Sequence, residues 1–356
     1  MTNFRGKWLL AFIVLSPIVG LGQSAEPVDI FSEQRVVLQA VSEAEQRRVI
    51  ADALGSVLLR ASGQSRLPSH PALTQARRDP TPFLRAFELA DSDILLPNAI
   101  GNFEPTHQLQ MRFDSSSVIE LLAAMDLPFW GSPRPQTLVV VAAPQGDWID
   151  VVTDWSASSV VGELMQVARA QGLPLIWPNL DLDELRLLHP DDLFLGLQQP
   201  LQTMSERYSA PLVLGGYIDF DADEELWQAQ WQLWDNQTQR FQTVSGETIT
   251  DIIKPALEWV SDTLSAQYAI AAAGDMQEFV FRVHAIDSLA EQNQVGRYLF
   301  QLPGTEGIAL EQIQGSSVVF RLQTRASFAQ WMAWLTLESR LLPRSGAEQM
   351  EFDWRG

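Results

Sequence analysis

Cysteine is missing from all 356 positions. Its absence removes disulfides, thiolate nucleophiles and thiolate metal sites together, and also the lipid-bearing cysteine of a lipoprotein. Histidine is nearly as scarce. His70, His107, His189 and His284 stand in four different segments, none at ligand spacing from another histidine or a carboxylate. A histidine-based metal centre or triad is therefore not expected, and His107 and His284, which fall within predicted strands, read as partly buried packing residues. Basic residues are the minority, 24 Lys plus Arg against 44 Asp plus Glu for a net charge of −20. Such a surface repels nucleic acid and anionic lipid. No GxSxG, SxxK, HExxH, Walker loop or GxGxxG occurs, which argues against the common hydrolases and nucleotide enzymes. A glycosidase needs only two carboxylates and no short motif, so that class stays open. Beyond the first two dozen residues there is no apolar run of spanning length and no train of alternating ten-residue segments with aromatic girdles. Polytopic and barrel readings fail on that account.

What is present begins with Arg5 and Lys7, unaccompanied by an acid and followed by an apolar stretch from Trp8 to Leu21 that Pro17 and Gly20 interrupt. A positive region followed by an apolar one is the order of a signal peptide, and small residues at Gly20, Gly22 and Ser24 offer cleavage after Gly22 or Ser24. Residues 1–25 are expected to hold the signal peptide, with the first 22 to 24 removed on export, which predicts a periplasmic protein of a Gram-negative-type envelope with no membrane span after cleavage. Loss of Arg5 and Lys7 moves the net charge from −20 to −22.

Forty-six per cent of the chain is apolar, enough for two or three cores. Residues 28–41 read as a strand. Ser42 with Glu45 forms a capping box that opens a helix, which ends at Gly63. A Pro-rich connection, strands over 83–96 and 103–113, and a helix capped at Ser115 to Ser117 complete a βαββα module over 26–132. Residues 137–142 are continuously apolar, as suits a strand buried on both faces. The polar loop 144–158 precedes a helix over 159–171 with Val160, Val161, Leu164, Met165 and Ala168 on one stripe. A short strand at 173–177, a helix capped by Asp181 and Glu184, a helix through Leu197, Leu201, Met204 and Tyr208, and a strand over 212–220 imply a parallel sheet. Strands 226–235 and 240–247 extend it as an antiparallel hairpin, and a helix over 251–268, with Pro255 in its first turn, closes the module 133–272. A small-residue linker at 271–275 leads to a second βαββα pattern over 275–356. Its last helix presents Phe328, Trp331, Trp334 and Leu335 on one face. The predicted architecture is α+β or α/β: three consecutive small sheet-plus-helix modules, the middle one with a partly parallel sheet extended by an antiparallel hairpin.

The segments VLLRASG at 57–63, LPFWG at 127–131, GLPLIWPNLDLDEL at 172–185 and RYSAPLVLGGYI at 207–218 resemble an uncharacterised family of proteobacterial periplasmic proteins known as a domain of unknown function. That resemblance implies a location and no activity. More loosely, the helix, the GG-containing strand and the Trp-rich strand WQAQWQLWD at 227–235 are similar to the amino-terminal domain of TolB and to the penicillin-binding-protein activator LpoB. Those relatives bind other envelope proteins and catalyse nothing, which is fold-level analogy.

Asp219, Asp221 and Asp223 match the first three ligand positions of a calcium loop, but Glu224 stands where a Gly is needed and Gln230 where a bidentate Glu belongs, so a solvated acidic turn is expected. Among the twelve tryptophans, strand alternation points Trp227, Ala229, Trp231 and Leu233 toward a core and leaves Trp234 on a glutamine-rich face. There it is either a binding ring or an ordinary half-buried one. Trp148 and Trp155 lie in the 144–158 loop at the carboxyl edge of a sheet, where α/β proteins place their sites; they read as partner anchors or as loop-anchoring aromatics. The favoured function is a non-catalytic periplasmic binding or assembly accessory protein of the cell envelope that contacts other envelope proteins through Trp148, Trp155 and Trp234, without cofactor or metal. The alternative is a carbohydrate-active cell-wall enzyme using an Asp/Glu pair. Oligomeric state is left open.

Overall fold

A computed structural model describes residues 25–39, 42–97, 100–338, 340–344 and 350–355; the signal-peptide reading lies outside them. The amino-terminal layer is a three-stranded sheet, β1 (Ser32–Leu38), β2 (Leu84–Pro97) and β3 (Phe103–Phe113), in the order β1-β3-β2, all antiparallel. Helices α1 (Glu43–Ser62), α2 (Pro71–Arg78) and α3 (Ser115–Ala124) complete it. β1 is shorter than the pattern predicts because the Asp29 carboxylate turns the chain, accepting from the backbone N–H groups of Phe31 and Ser32 at 3.2 and 3.1 Å. The Ser42–Glu45 capping box forms, and Gly63 ends α1 at φ 67°. Only glycine fits there, since a Cβ would sit 2.5 Å from the Ser265 Cβ and 2.6 Å from the Trp130 ring. The cap of α3 is Asp114 rather than the following serines; its carboxylate accepts from Ser117 N–H at 2.9 Å. The Pro-rich connection hides α2, which His70 caps with Pro71 at the first helical position.

The middle sheet runs β9-β8-β7-β4-β5, with β6 beside β4. These strands are β4 (Thr137–Gln145), β5 (Trp148–Val152), β6 (Leu175–Ile176), β7 (Leu212–Asp221), β8 (Leu226–Trp234) and β9 (Gln239–Gly246). β4 is parallel to β6 and β7, and β7-β8-β9 is the expected antiparallel extension. Both faces of β4 are buried. Val139, Val141 and Ala143 join a core with α4 (Ser159–Gln171) and α6 (Ile249–Tyr268), while Leu138, Val140 and Ala142 meet Leu201 and Met204 of α5 (Gln198–Tyr208). Met165 leaves the predicted α4 stripe and is exposed. The cap of α6 is Thr248, whose hydroxyl accepts from Asp251 N–H at 3.2 Å while the Asp251 carboxylate accepts from Thr248 N–H at 2.9 Å. The helix therefore begins at Ile249, and Pro255 lies past its first turn.

The carboxy-terminal sheet is β11-β12-β10-β14-β13, from β10 (Gln277–His284), β11 (Thr305–Gln314), β12 (Ser317–Thr324), β13 (Leu341–Pro343) and β14 (Glu351–Trp354). Helices α7 (Leu289–Gln301) and α8 (Phe328–Glu338) accompany it. Trp331 and Trp334 face its core as expected, whereas Phe328 is exposed. This core is continuous with that of the middle sheet. The Trp334 indole N–H donates to the Tyr268 carbonyl at 3.3 Å, and its ring meets Tyr268 edge-on at 5.2 Å. Ile270–Ala271, at the predicted linker, pairs as a two-residue strand with Pro128–Phe129.

Candidate functional site

The three predicted tryptophans part company in the structure. Trp234 is only 5% exposed, packed with Leu138, Val140, Leu201 and Met204. This corrects its assignment as a partner-binding residue: α5 and the short helices before it cover the far end of that sheet face, so a ring there is core. Its neighbour Gln232 is buried as well, donating to the Leu193 carbonyl and accepting from Gln239 at 2.9 Å. Trp148 and Trp155 remain 67% and 65% exposed. Their segment is not a loop. It turns at Gly146 (φ 67°) and returns as β5, antiparallel to β4 with Trp148 opposite Gln145. Trp155 lies beyond the other end of β5, in a turn where Thr153 N–H donates to Ser156 Oγ at 3.0 Å. The two rings flank a strand about 13 Å long rather than forming one patch.

A cleft of about 840 Å³ opens between the amino-terminal and middle layers, lined by Glu26, Asp29, Glu33, Arg35, Arg60 and Trp177 among others. This is the aromatic, carboxylate-bearing groove that a two-carboxylate enzyme would use. Its most buried acid, Glu33, spends both oxygens on arginines, one on Arg60 and the other on Arg35 at 2.6 Å. Arg60 also donates to the carbonyls of Asp29, Ile30, Ser32 and Ala170, thereby joining β1, α1 and α4. Behind it lies Arg134, fully buried, with its guanidinium 4.0 Å from the centre of the Trp130 ring. It donates to five carbonyls: Gly131 (3.2 Å), Gln171 (3.0 Å), Gly172 (3.0 Å), Arg60 (2.5 Å) and Trp130 (2.7 Å). Burial, and then the charge of Arg60, pull this guanidinium down to about 9. The cleft floor is thus a joint that holds two layers together, with its charges committed to structure.

An uncovered apolar surface lies on β2 and β3. Register sets Phe87 opposite Met111, Leu89 opposite Leu109, Leu95 opposite Pro105 and Pro97 opposite Phe103. By the two-residue period these side chains share the face that is core at Leu109, Met111 and Phe113. Toward the tip the helices no longer cover it, and Leu89 is 49% and Phe103 70% exposed. Phe87, Ile94 and Leu95 are exposed beside them. Sequence reasoning assigned both strands and missed this surface, although strand length carried the signal.

The remaining clusters are structural. Asp221 caps its own turn, accepting from the N–H groups of Asp223 and Glu224 at 2.9 and 3.1 Å, and among the described residues no three His, Asp or Glu side chains are gathered as a metal site. Glu184, expected as a helix-start charge, is buried, where it accepts from Tyr208 Oη at 2.8 Å and from Leu180 N–H at 2.7 Å and pairs with Arg207 at 2.9 Å. His284 lies 3.0 Å from Glu351, a partner that strand pairing of β14 with β10 supplies.

The fold is thus a mixed α+β protein whose described residues form three principal sheets and two two-stranded pairings, with an exposed apolar hairpin on the amino-terminal layer. A family model described as Domain of unknown function (DUF8605) matches residues 25–131, the layer that carries the hairpin and ends at the Trp130–Gly131 joint. No curated protein and no solved structure gives a significant match.

Proposed function

We propose that the protein is a non-catalytic binding or assembly factor of the periplasm that engages other envelope proteins. The observation that carries this reading is the β2–β3 hairpin, whose apolar face runs on past the helices of its own layer. An apolar face, interrupted only where Asp91 pairs with His107, on an otherwise acidic chain fits a protein contact. The resemblance of segments 57–63, 127–131, 172–185 and 207–218 to proteobacterial periplasmic proteins supports the location, and the looser likeness of the middle sheet to TolB and LpoB supports a role through protein contacts. Exposed Trp148 and Trp155 offer a second, separate contact on the middle sheet.

The test is site-specific photo-crosslinking in intact cells from positions 89 and 148, with products identified by mass spectrometry. Discrete envelope-protein adducts at position 89, absent when the crosslinker is at buried position 231, are expected. Absence of any adduct at 89 and 148 would defeat the proposal. Amino-terminal sequencing of the periplasmic protein should begin near residue 23 to 25, and a chain beginning at Met1 would remove the location.

A further inference from the structure

The binding-factor reading says that the hairpin contacts a protein; its backbone and charge say what kind of segment it contacts. In the order β1-β3-β2, β2 is paired on one side only. Its ladder is regular over residues 86–92, between register shifts at Leu84/Ala86 and Ser92/Leu95. Such an edge offers a row of backbone donors and acceptors, with the uncovered Phe87 and Leu89 side chains on one face. β2 carries Glu88, Asp91 and Asp93 against the single cation Arg85, and all three acids are exposed.

We propose that the free edge of β2 takes up an extended, cationic segment of a partner protein as an added strand. An added strand satisfies the edge's backbone groups, and its alternate apolar side chains extend the Phe87–Leu89 face over the gap left by the helices. Its Lys or Arg residues meet Glu88 on the opposite face and, beyond Leu89 toward the tip, Asp91 and Asp93, of which Asp91 stands opposite His107 with its carboxylate 3.2 Å from the ring. A second copy of this chain is disfavoured by the same charges, because pairing β2 with β2 sets carboxylates against carboxylates in a molecule already at −20. The acids thus block self-association and select an oppositely charged strand. This assignment rests on the proposal that the hairpin is a contact surface.

The test uses the purified full chain with three labelled peptides of about ten residues, a typical long strand: alternating Val and Lys, alternating Val and Glu, and a Leu/Lys sequence of helical period. Binding is read by fluorescence anisotropy, and its site by amide hydrogen exchange. The Val/Lys peptide should bind and protect the amides of residues 86–92, and the Val/Glu peptide should bind at least about tenfold more weakly. Reversing the charges with Asp91→Lys and Asp93→Lys should invert that preference. Leu89→Ser, which leaves the charges in place, should weaken the Val/Lys peptide and serves if the charge variant does not fold. Equal affinity for both charge signs, no protection at 86–92, tighter binding of the helical peptide, or protection of the same amides by dimerisation of the chain alone would each overturn the proposal. If adducts form at position 89 in cells while the Val/Lys peptide fails, strand addition falls and the contact surface stands. If the peptide binds but position 89 captures nothing in cells, the contact surface falls as a physiological site.

Discussion

Replacing Arg134 with Ala should separate the amino-terminal layer from the middle sheet energetically before it unfolds either. The guanidinium is fully buried, and all five of its hydrogen-bond acceptors are backbone carbonyls, drawn from α1, the segment after α3 and the end of α4. With the group pulled to about 9 it is still a cation at neutral pH. Its compensation comes from carbonyl dipoles and from the Trp130 ring 4.0 Å away, with no carboxylate among its acceptors. Truncation strands three buried carbonyls, those of Gly172, Arg60 and Trp130, at about 1–3 kcal/mol each. Those costs overlap and are offset by no longer burying a charge, so the net loss should be about 3–5 kcal/mol, as for breaking other buried charge networks. Urea unfolding followed by tryptophan emission measures it. Arg134→Lys, with three donors to replace five bonds, should recover part of the loss. Hydrogen exchange should accelerate first at Gln171, Gly172 and Gly131. Arg134→Met at wild-type stability, or a loss below about 1 kcal/mol for the Ala variant, would refute the idea that this residue is the joint.

Trp231→Ala should destabilise by about 3–5 kcal/mol, since the ring is fully buried and its N–H donates to the Ile252 carbonyl at 2.9 Å. Trp148→Ala with Trp155→Ala should stay within about 1 kcal/mol of wild type; equal losses in the two variants by calorimetry would show that the exposed rings are structural. Tyr208 is pushed up to about 12 by burial and by its bond to Glu184, and Tyr268 to about 12 by burial. Raised folded values mean that the unfolded chain ionises first, so the stability from these groups is complete below about 10 and is lost as pH climbs toward 12. Tyrosinate absorbance should accordingly rise together with unfolding in that window, and early titration of all four tyrosines would contradict it. Millimolar calcium should leave the thermal midpoint unchanged, because Asp221 already caps its own turn; a rise of several degrees would reveal a binding loop.

The ends of α1 and α4 were legible because capping is local: Ser42 with Glu45 and glycine at 63 and 172 act within four residues of chain, whereas α3 and α6 are capped earlier than their patterns predict, by Asp114 and Thr248. Two-sided burial of β4 was legible from its unbroken apolar run. Trp234 was not, because a period of two separates faces but cannot say whether each face is covered. On β8, Gln228 and Gln230 are exposed while Gln232 and Trp234 on the same side are buried, so the cover begins midway along one strand. The Arg134 joint was equally hidden, since its acceptors are backbone atoms that leave no side-chain pattern.

The GG of β7 was read as part of a likeness to binding proteins, and its physical cause is packing. Gly216 stands opposite Trp231, and a Cβ there would lie 2.5 Å from the indole, while one at Gly215 would lie 2.8 Å from Leu201. The two glycines make room for a ring on one face and a helix on the other, so the motif says how a Trp-rich strand is seated and is silent about ligands. The signal for a contact lies in element lengths. A helix of 20 residues such as α1 spans about 30 Å, whereas the 14 residues of β2 span about 46 Å. No arrangement of α1 covers that strand from end to end, and α2 and α3, at 8 and 10 residues, are shorter still. Apolar residues that continue the core alternation past the helices are left exposed, Leu89 by 49% and Phe103 by 70%, and it is on this exposure that the proposed contact rests.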